Sequence, residues 1–333
     1  MKDIAVVLGI STNTVSRAFS GKADINEETK KRIFAKAREL GYRREPFDPH
    51  AHRRQSHIIG VVISDITNPF FSRVVRGIED VLILRGYSIL LCNTDESYER
   101  ERSSVDMLLK RNVDGIIMTP TQASHKDIDA LLEMGIPVVL LGRYFDDVSA
   151  WSVVGDDTNG GYAAVDHLTK LGHSRILFLN ARPYISSAKE RRIGYEKALR
   201  DNGLEVFPDL VRECDPKPES AYNLMRSILL EKLEYTAIFT FSDLMMLGVL
   251  RCLKQQKIRV PEDVSLVGFD DIEYAGMLDP PLTTVRQPQY RLGAESARML
   301  LDQLERRTDS RRILLPLDIV IRDSTARLGG ETP

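Results

Sequence analysis

Hydrophobic and polar positions along this 333-residue chain change period near residue 58. Before that point, apolar residues recur every three or four positions. Ile4, Ala5 and Leu8 form one stripe, Val15, Ala18 and Phe19 a second, and Ile33, Phe34, Ala37 and Leu40 a third, which predicts three short helices. Gly9 separates the first two where a turn favours a residue without Cβ. Ile10 is the expected buried pivot, and Ser11 stands where a hydroxyl caps a helix start. Asn26 should cap the third helix and Gly41 should close it. Helices joined this way make a helix-turn-helix, whose second helix can enter the DNA major groove.

From Ile58 onward, short apolar runs alternate with amphipathic stretches. Runs at 58–63, 88–92, 115–118 and 137–141 read as buried parallel strands, separated by helices at 71–84, 100–110 and 127–134. A second set places strands at 176–179, near 211, at 237–239 and at 265–267, with helices near 161–171, 188–202, 221–230 and 244–256. A helix at 289–304 and a strand at 317–321 end the pattern. The expected fold class is therefore α/β, an all-α headpiece followed by two lobes of parallel α/β sheet. Ligands of such sheets bind beyond the carboxyl ends of the strands.

Composition is that of an ordinary soluble chain, 43% hydrophobic and 28% charged. The net charge of −2 conceals an asymmetry: residues 1–57 hold 12 Lys and Arg against 7 Asp and Glu, whereas the rest holds 34 against 41. A basic head on an acidic body suits contact with a polyanion at one end. Cys92, Cys214 and Cys252 are scattered without metal-ligand spacing, which fits a reducing compartment. The N-terminus has no apolar signal core and no run is long enough to span a bilayer, so a cytoplasmic protein without membrane contact is expected. There is no P-loop, no Gly-x-Gly-x-x-Gly after a strand, no Gly-x-Ser-x-Gly and no His-Glu-x-x-His. Neither an enzyme nor a bound metal or cofactor is expected, and His50, His52 and His57 read as part of a basic linker.

Asp3-Ile4-Ala5, Gly9-Ile10-Ser11 followed by Thr14-Val15-Ser16-Arg17, and Gly41-Tyr42-Arg43 resemble the headpiece of the LacI/GalR transcription regulators. The resemblance continues in order through Ile59-Gly60-Val61-Val62, Asn68-Pro69-Phe70-Phe71, Asp114-Gly115-Ile116-Ile117, Leu171-Gly172-His173, Gly268-Phe269-Asp270-Asp271 and Pro281-Leu282-Thr283-Thr284-Val285. It implies a DNA-binding headpiece at 1–44, a hinge at 45–57 and a periplasmic-binding-protein-like effector core at 58–333. The N-lobe would comprise about 58–157 and 288–318, and the C-lobe about 158–287 and 319–333.

The same resemblance implies a repressor that binds a pseudo-palindromic operator as a homodimer under control of a sugar-like metabolite. Thr12 and Asn13 would read bases, since Asn can pair both edges of adenine and a Thr methyl can touch thymine. Arg17 would reach guanine or phosphate, Thr14 and Ser16 would make phosphate or capping contacts, and Lys22 would hold the head on DNA regardless of sequence. Ala51 occupies the place of the leucine that relatives wedge into the minor groove, between helix-restricting Pro46 and Pro49. The mapped effector residues are Phe70, Phe71, Asp95, Thr119, Arg143, Arg191, Ser242 and Asp271. Arg143 stands where many relatives have an acid; it would favour an acidic or phosphorylated sugar, or simply pair with a nearby aspartate. Ser242 replaces a common asparagine, and Pro216 a common stacking aromatic. The helix at 71–84, with Val74 and Val81, is a candidate for the dimer interface, although core packing would explain those residues equally well. Two other readings remain: a carbon regulator tuned by a protein co-repressor, and a solute-binding protein with a vestigial head.

Overall fold

The computed structural model describes residues 2–19, 25–39, 56–305 and 312–329. Backbone contacts divide the chain into one unit at Met1–Arg54 and another at Gln55–Pro333. In the first, α1 (Lys2–Leu8), α2 (Thr12–Phe19) and α3 (Glu27–Glu39) surround Ile4, Ala5, Val15, Ala18 and Ile33, all buried. Leu8 and Ile10 pack against that cluster partly buried. Gly9 takes a φ of +68°, and Ile10 N–H donates back to the Ala5 carbonyl at 3.1 Å, which closes the turn. Ser11 Oγ accepts from Thr14 N–H at 3.0 Å, and Asn26 Oδ1 from Thr29 N–H at 2.7 Å, so each cap satisfies an orphan donor.

The second unit holds two sheets. The N-lobe contains β1 (Ile58–Ile63), α4 (Pro69–Ile83), β2 (Ser88–Asn93), α5 (Tyr98–Lys110), β3 (Gly115–Met118), α6 (Lys126–Glu133), β4 (Val138–Leu141) and β5 (Trp151–Gly155). The C-lobe contains α7 (Asp157–Lys170), β6 (Ile176–Asn180), α8 (Ser186–Asp201), β7 (Val211–Glu213), α9 (Pro218–Glu231), β8 (Ala237–Thr240), α10 (Asp243–Gln255), β9 (Ser265–Asp270) and β10 (Thr283–Arg286). The chain then returns through α11 (Gln289–Leu304) and β11 (Arg312–Leu315) before ending in β12 (Asp318–Val320). Strand order is β2-β1-β3-β4-β5-β11 in one sheet and β7-β6-β8-β9-β10-β12 in the other. All described pairings are parallel except β10 with β12. Both sheets thus share one doubly wound order, with its switch point between the first and third strands of each lobe.

Helices cover both faces, so strand residues on both faces are apolar. Three elements lack a sequence signal of their own. β5, β10 and β11 are short, and each is held in place by a neighbour already in the sheet. The last change of sheet falls between Leu315 and Asp318.

Glycines allow two helices to cross closely. A Cβ on Gly293 of α11 would lie 2.0 Å from the Val74 carbonyl oxygen of α4, and one on Gly77 would lie 2.1 Å from that of Tyr290. This crossing decides between the two readings of Val74 in favour of core packing: it is fully buried in the N-lobe core and offers nothing to a second chain. Val81 is half-buried against the same cluster.

Candidate functional site

In the headpiece, Thr12 and Asn13 open α2 with exposed side chains. Thr14 is partly buried, and its hydroxyl shares a 2.8 Å hydrogen bond with Ser11 Oγ, so its first role is to hold the turn. The side chains of Ser16 and Arg17, together with Lys22, Ala51 and most of the hinge, lie outside the described residues.

The core carries the second site, a cleft between the two lobes that is continuous with solvent. Its walls come from the carboxyl ends of the strands, as the doubly wound order requires. Ser64, Asp65 and Thr119 follow β1 and β3; Arg143 follows β4; Phe241, Ser242, Asp270 and Gln287 follow β8, β9 and β10. Phe70 and Phe71 enter from the start of α4, their rings edge to face at 5.1 Å. Asn68 caps that helix through Phe70 N–H at 3.1 Å. Ser242 caps α10 through Met245 N–H at 3.2 Å, which fixes its place at the wall.

Charges in the cleft are largely matched from within. Arg143 donates to both carboxylate oxygens of Glu96 and to the Pro120 carbonyl. Burial opposes the Arg143 charge, but Glu96 more than offsets it and the guanidinium pKa is raised. Arg191 donates to Asp157 at 2.8 Å and to the Phe241 carbonyl. Its guanidinium lies over the rings of Phe269 at 3.6 Å and Phe241 at 4.3 Å. Burial raises the Asp157 pKa against the pull of Arg191. Asp270, at φ +117°, accepts from Gln287 Nε2 at 2.9 Å, and burial pushes its carboxyl up to about 7 despite Arg191 nearby. At the cleft wall Thr119 Oγ1 is buried and, among the described residues, has no hydrogen-bond partner.

Residues 1–45 match the family model described as bacterial regulatory proteins, lacI family, and residues 56–323 match that of periplasmic binding proteins and the sugar binding domain of the LacI family. The chain belongs to the LacI family of transcription regulators. It is 33% identical to the HTH-type transcriptional repressor CytR of Escherichia coli K12, over 98% of this chain and 96% of that protein. Among solved structures it is similar to the transcriptional regulator CelR in its complex with cellobiose, with TM-score 0.75, 30% identity and coverage of 96% of this chain and 98% of that one. It is also similar to the lac repressor dimer bound to operator and the anti-inducer ONPF, with TM-score 0.73, 28% identity and coverage of 97% and 98%.

Within this LacI-family core, Phe70, Phe71, Thr119, Arg143, Arg191 and Ser242 all line the cleft. Asp95 and Asp271 do not. Asp95 turns to Arg100 and to Asn93 Nδ2, and its neighbour Glu96 takes the cleft position. Asp271 is held by Arg286 at 2.6 Å and Arg322 at 2.7 Å on the flank, and Asp270 faces inward instead. In both acidic pairs the backbone is left-handed, so the two carboxylates diverge, and the partners each one finds fix which of them faces the cleft. Arg143 pairs with a glutamate where an aspartate was one expectation. Ser187, Lys217, Phe241 and Gln287 also line the cleft, yet only their tertiary placement distinguishes them from ordinary helix and strand-end residues.

Proposed function

We propose that this LacI-family regulator is a repressor that binds a two-fold operator as a homodimer, in the cytoplasm, and that its cleft takes an uncharged, sugar-sized polyol as effector. The unpartnered Thr119 hydroxyl beside Phe70 and Phe71 carries the effector reading. A sugar hydroxyl would satisfy that oxygen while an apolar sugar face covers the rings. The pairing of Arg143 with Glu96 and of Arg191 with Asp157 favours a neutral ligand over a sugar acid or sugar phosphate. The cellobiose in the CelR complex fits the same ligand class. Binding, with no catalytic step, suits a cleft whose buried carboxylate Asp270 is engaged by Gln287. The effector would act by linkage, through its different affinities for the open and closed lobes.

A thermal-shift panel of neutral sugars, sugar acids, sugar phosphates and nucleobases tests this reading. A neutral sugar at a hundred times its Kd stabilises by about 2.7 kcal/mol, a rise in Tm of roughly 5 °C or more. The active compound should then change operator binding in a gel-shift titration. Hits confined to phosphorylated sugars overturn the neutral-ligand reading, and a flat panel turns the search to a protein co-repressor.

A further inference from the structure

Beside the cleft, the start of α8 is capped by the opposite lobe. Its N-cap residue Ile185 supplies no side-chain hydrogen bond. Instead Gln122, from the N-lobe loop after β3, accepts from Ser186 N–H at 2.8 Å and lies 3.2 Å from Ser186 Oγ. Gln122 Nε2 also donates to the Tyr144 carbonyl at 2.6 Å, tying the loop after β3 to the loop after β4. Tyr144 completes the bridge: its N–H donates to Ser186 Oγ at 3.1 Å and its hydroxyl to Glu190 Oε1 at 2.6 Å. The second Glu190 oxygen takes the Thr158 hydroxyl, and Arg312 lies 3.7 Å over the Tyr144 ring. Gln122 is 8% exposed, so solvent substitutes poorly for these bonds while the lobes stay together.

We propose that Gln122, Tyr144, Ser186 and Glu190 form a latch that clasps the lobes and sets the balance between open and closed cores without an effector. Opening must break the helix cap and the tyrosine–carboxylate bond together, whereas closing restores both. The latch shares α8 with the cleft: Ser186 and Glu190 meet the N-lobe loops, while Ser187 and Arg191, one residue on in each case, face the cleft. An effector gripping Arg191 therefore pulls on the element the latch already holds. Apparent effector affinity scales with the fraction of chains whose lobes are closed. This consequence rests on the effector reading of the cleft; the latch itself does not.

The latch is tested without any ligand. Spin labels on Arg111→Cys and Lys254→Cys, both exposed and one on each lobe, report the inter-lobe distance by double electron–electron resonance. Gln122→Gly removes the cap and suits the φ of +65° at that position, and Tyr144→Phe keeps the ring over Arg312 while removing the hydroxyl. Each variant should lower the closed-to-open ratio roughly tenfold, and the double variant should broaden or lengthen the distance distribution. Thermal melts confirm that each variant is folded. A double variant with the parent's distance distribution overturns the latch, whatever the effector panel shows. A distribution that shifts while the panel stays flat upholds the latch and removes only its proposed consequence.

Discussion

Arg143 and Glu96 face each other at the N-lobe wall of the cleft as a two-pronged pair, Nη1 and Nη2 donating to the two carboxylate oxygens at 2.8 and 2.6 Å. The Arg143 side chain is 7% exposed and that of Glu96 18%, so each charge depends on the other. Glu96→Gln should lower stability by about 3 kcal/mol in urea unfolding, because it leaves a buried cation unmatched. The same variant should gain a Tm increase with sulfate or a sugar phosphate that the parent lacks. No anion response in that variant would mean that Arg143 is not directed at the ligand space.

Thr119→Val preserves shape and removes the unpartnered buried oxygen. The free protein should then become more stable by about 1 kcal/mol, since an unsatisfied group is gone. Affinity for any sugar found in the panel should fall about tenfold. Calorimetry that finds affinity unchanged places the ligand elsewhere in the cleft.

Asp243 and Asp270 make stability depend on pH. Burial, first in both cases, pushes their carboxyls up to about 8 and about 7, and the charge of Asp270 adds to the rise at Asp243. An unfolded aspartate titrates near 3.9. Between those values the folded chain holds protons that the unfolded chain does not. Their contribution is fully present below about pH 4 and is lost as pH rises through the folded values. Asp243→Asn keeps an acceptor for Ile272 N–H and cannot titrate. Urea unfolding of the parent should therefore lose about 1–2 kcal/mol more than the variant between pH 6 and 8. Parallel pH profiles would show that Asp243 is ionised in the folded chain.

Gly293→Ala should be costly for a reason unrelated to helix propensity. Alanine is the better helix former, yet its Cβ would meet the Val74 carbonyl oxygen at 2.0 Å. The helices must part, with a loss of about 3 kcal/mol in thermal or urea unfolding. A stabilised variant would disprove the close crossing of α4 and α11.

Asn13, exposed at the start of α2, should contribute discrimination as well as affinity. Asn13→Ala should cost about 1–3 kcal/mol on the operator and relax preference at one base step, with little change on random DNA. Equal losses on both would assign the residue to phosphate contact.

Periodicity alone located most of the elements. The 3.6-residue stripes marked the headpiece helices, and runs such as Ile59-Gly60-Val61-Val62 marked strands buried on both faces. These signals are local, because each is written within one turn or one strand. β5, β10 and β11 are not marked by such runs, because their strand character comes from pairing with a neighbouring strand, for β11 one far away in the sequence. Val74 shows the limit of a helical stripe: it tells which residues are apolar, but the neighbour that buries them is decided by the crossing with α11.

The site divides in the same way. The family resemblance, together with the rule that doubly wound sheets gather their strand-end loops at one edge, placed Phe70, Phe71, Thr119, Arg143, Arg191 and Ser242 near one cleft. Only the tertiary structure decided between Asp95 and Glu96 and between Asp270 and Asp271. A one-residue change in a left-handed turn reverses which carboxylate points inward, and that choice depends on the partners of each carboxylate: Arg100 five residues on, and Arg143, Arg286 and Arg322 from other segments. The bridge from Gln122 and Tyr144 to α8 belongs there too, because a glutamine in a loop and a tyrosine after a strand carry no local mark of the helix they cap.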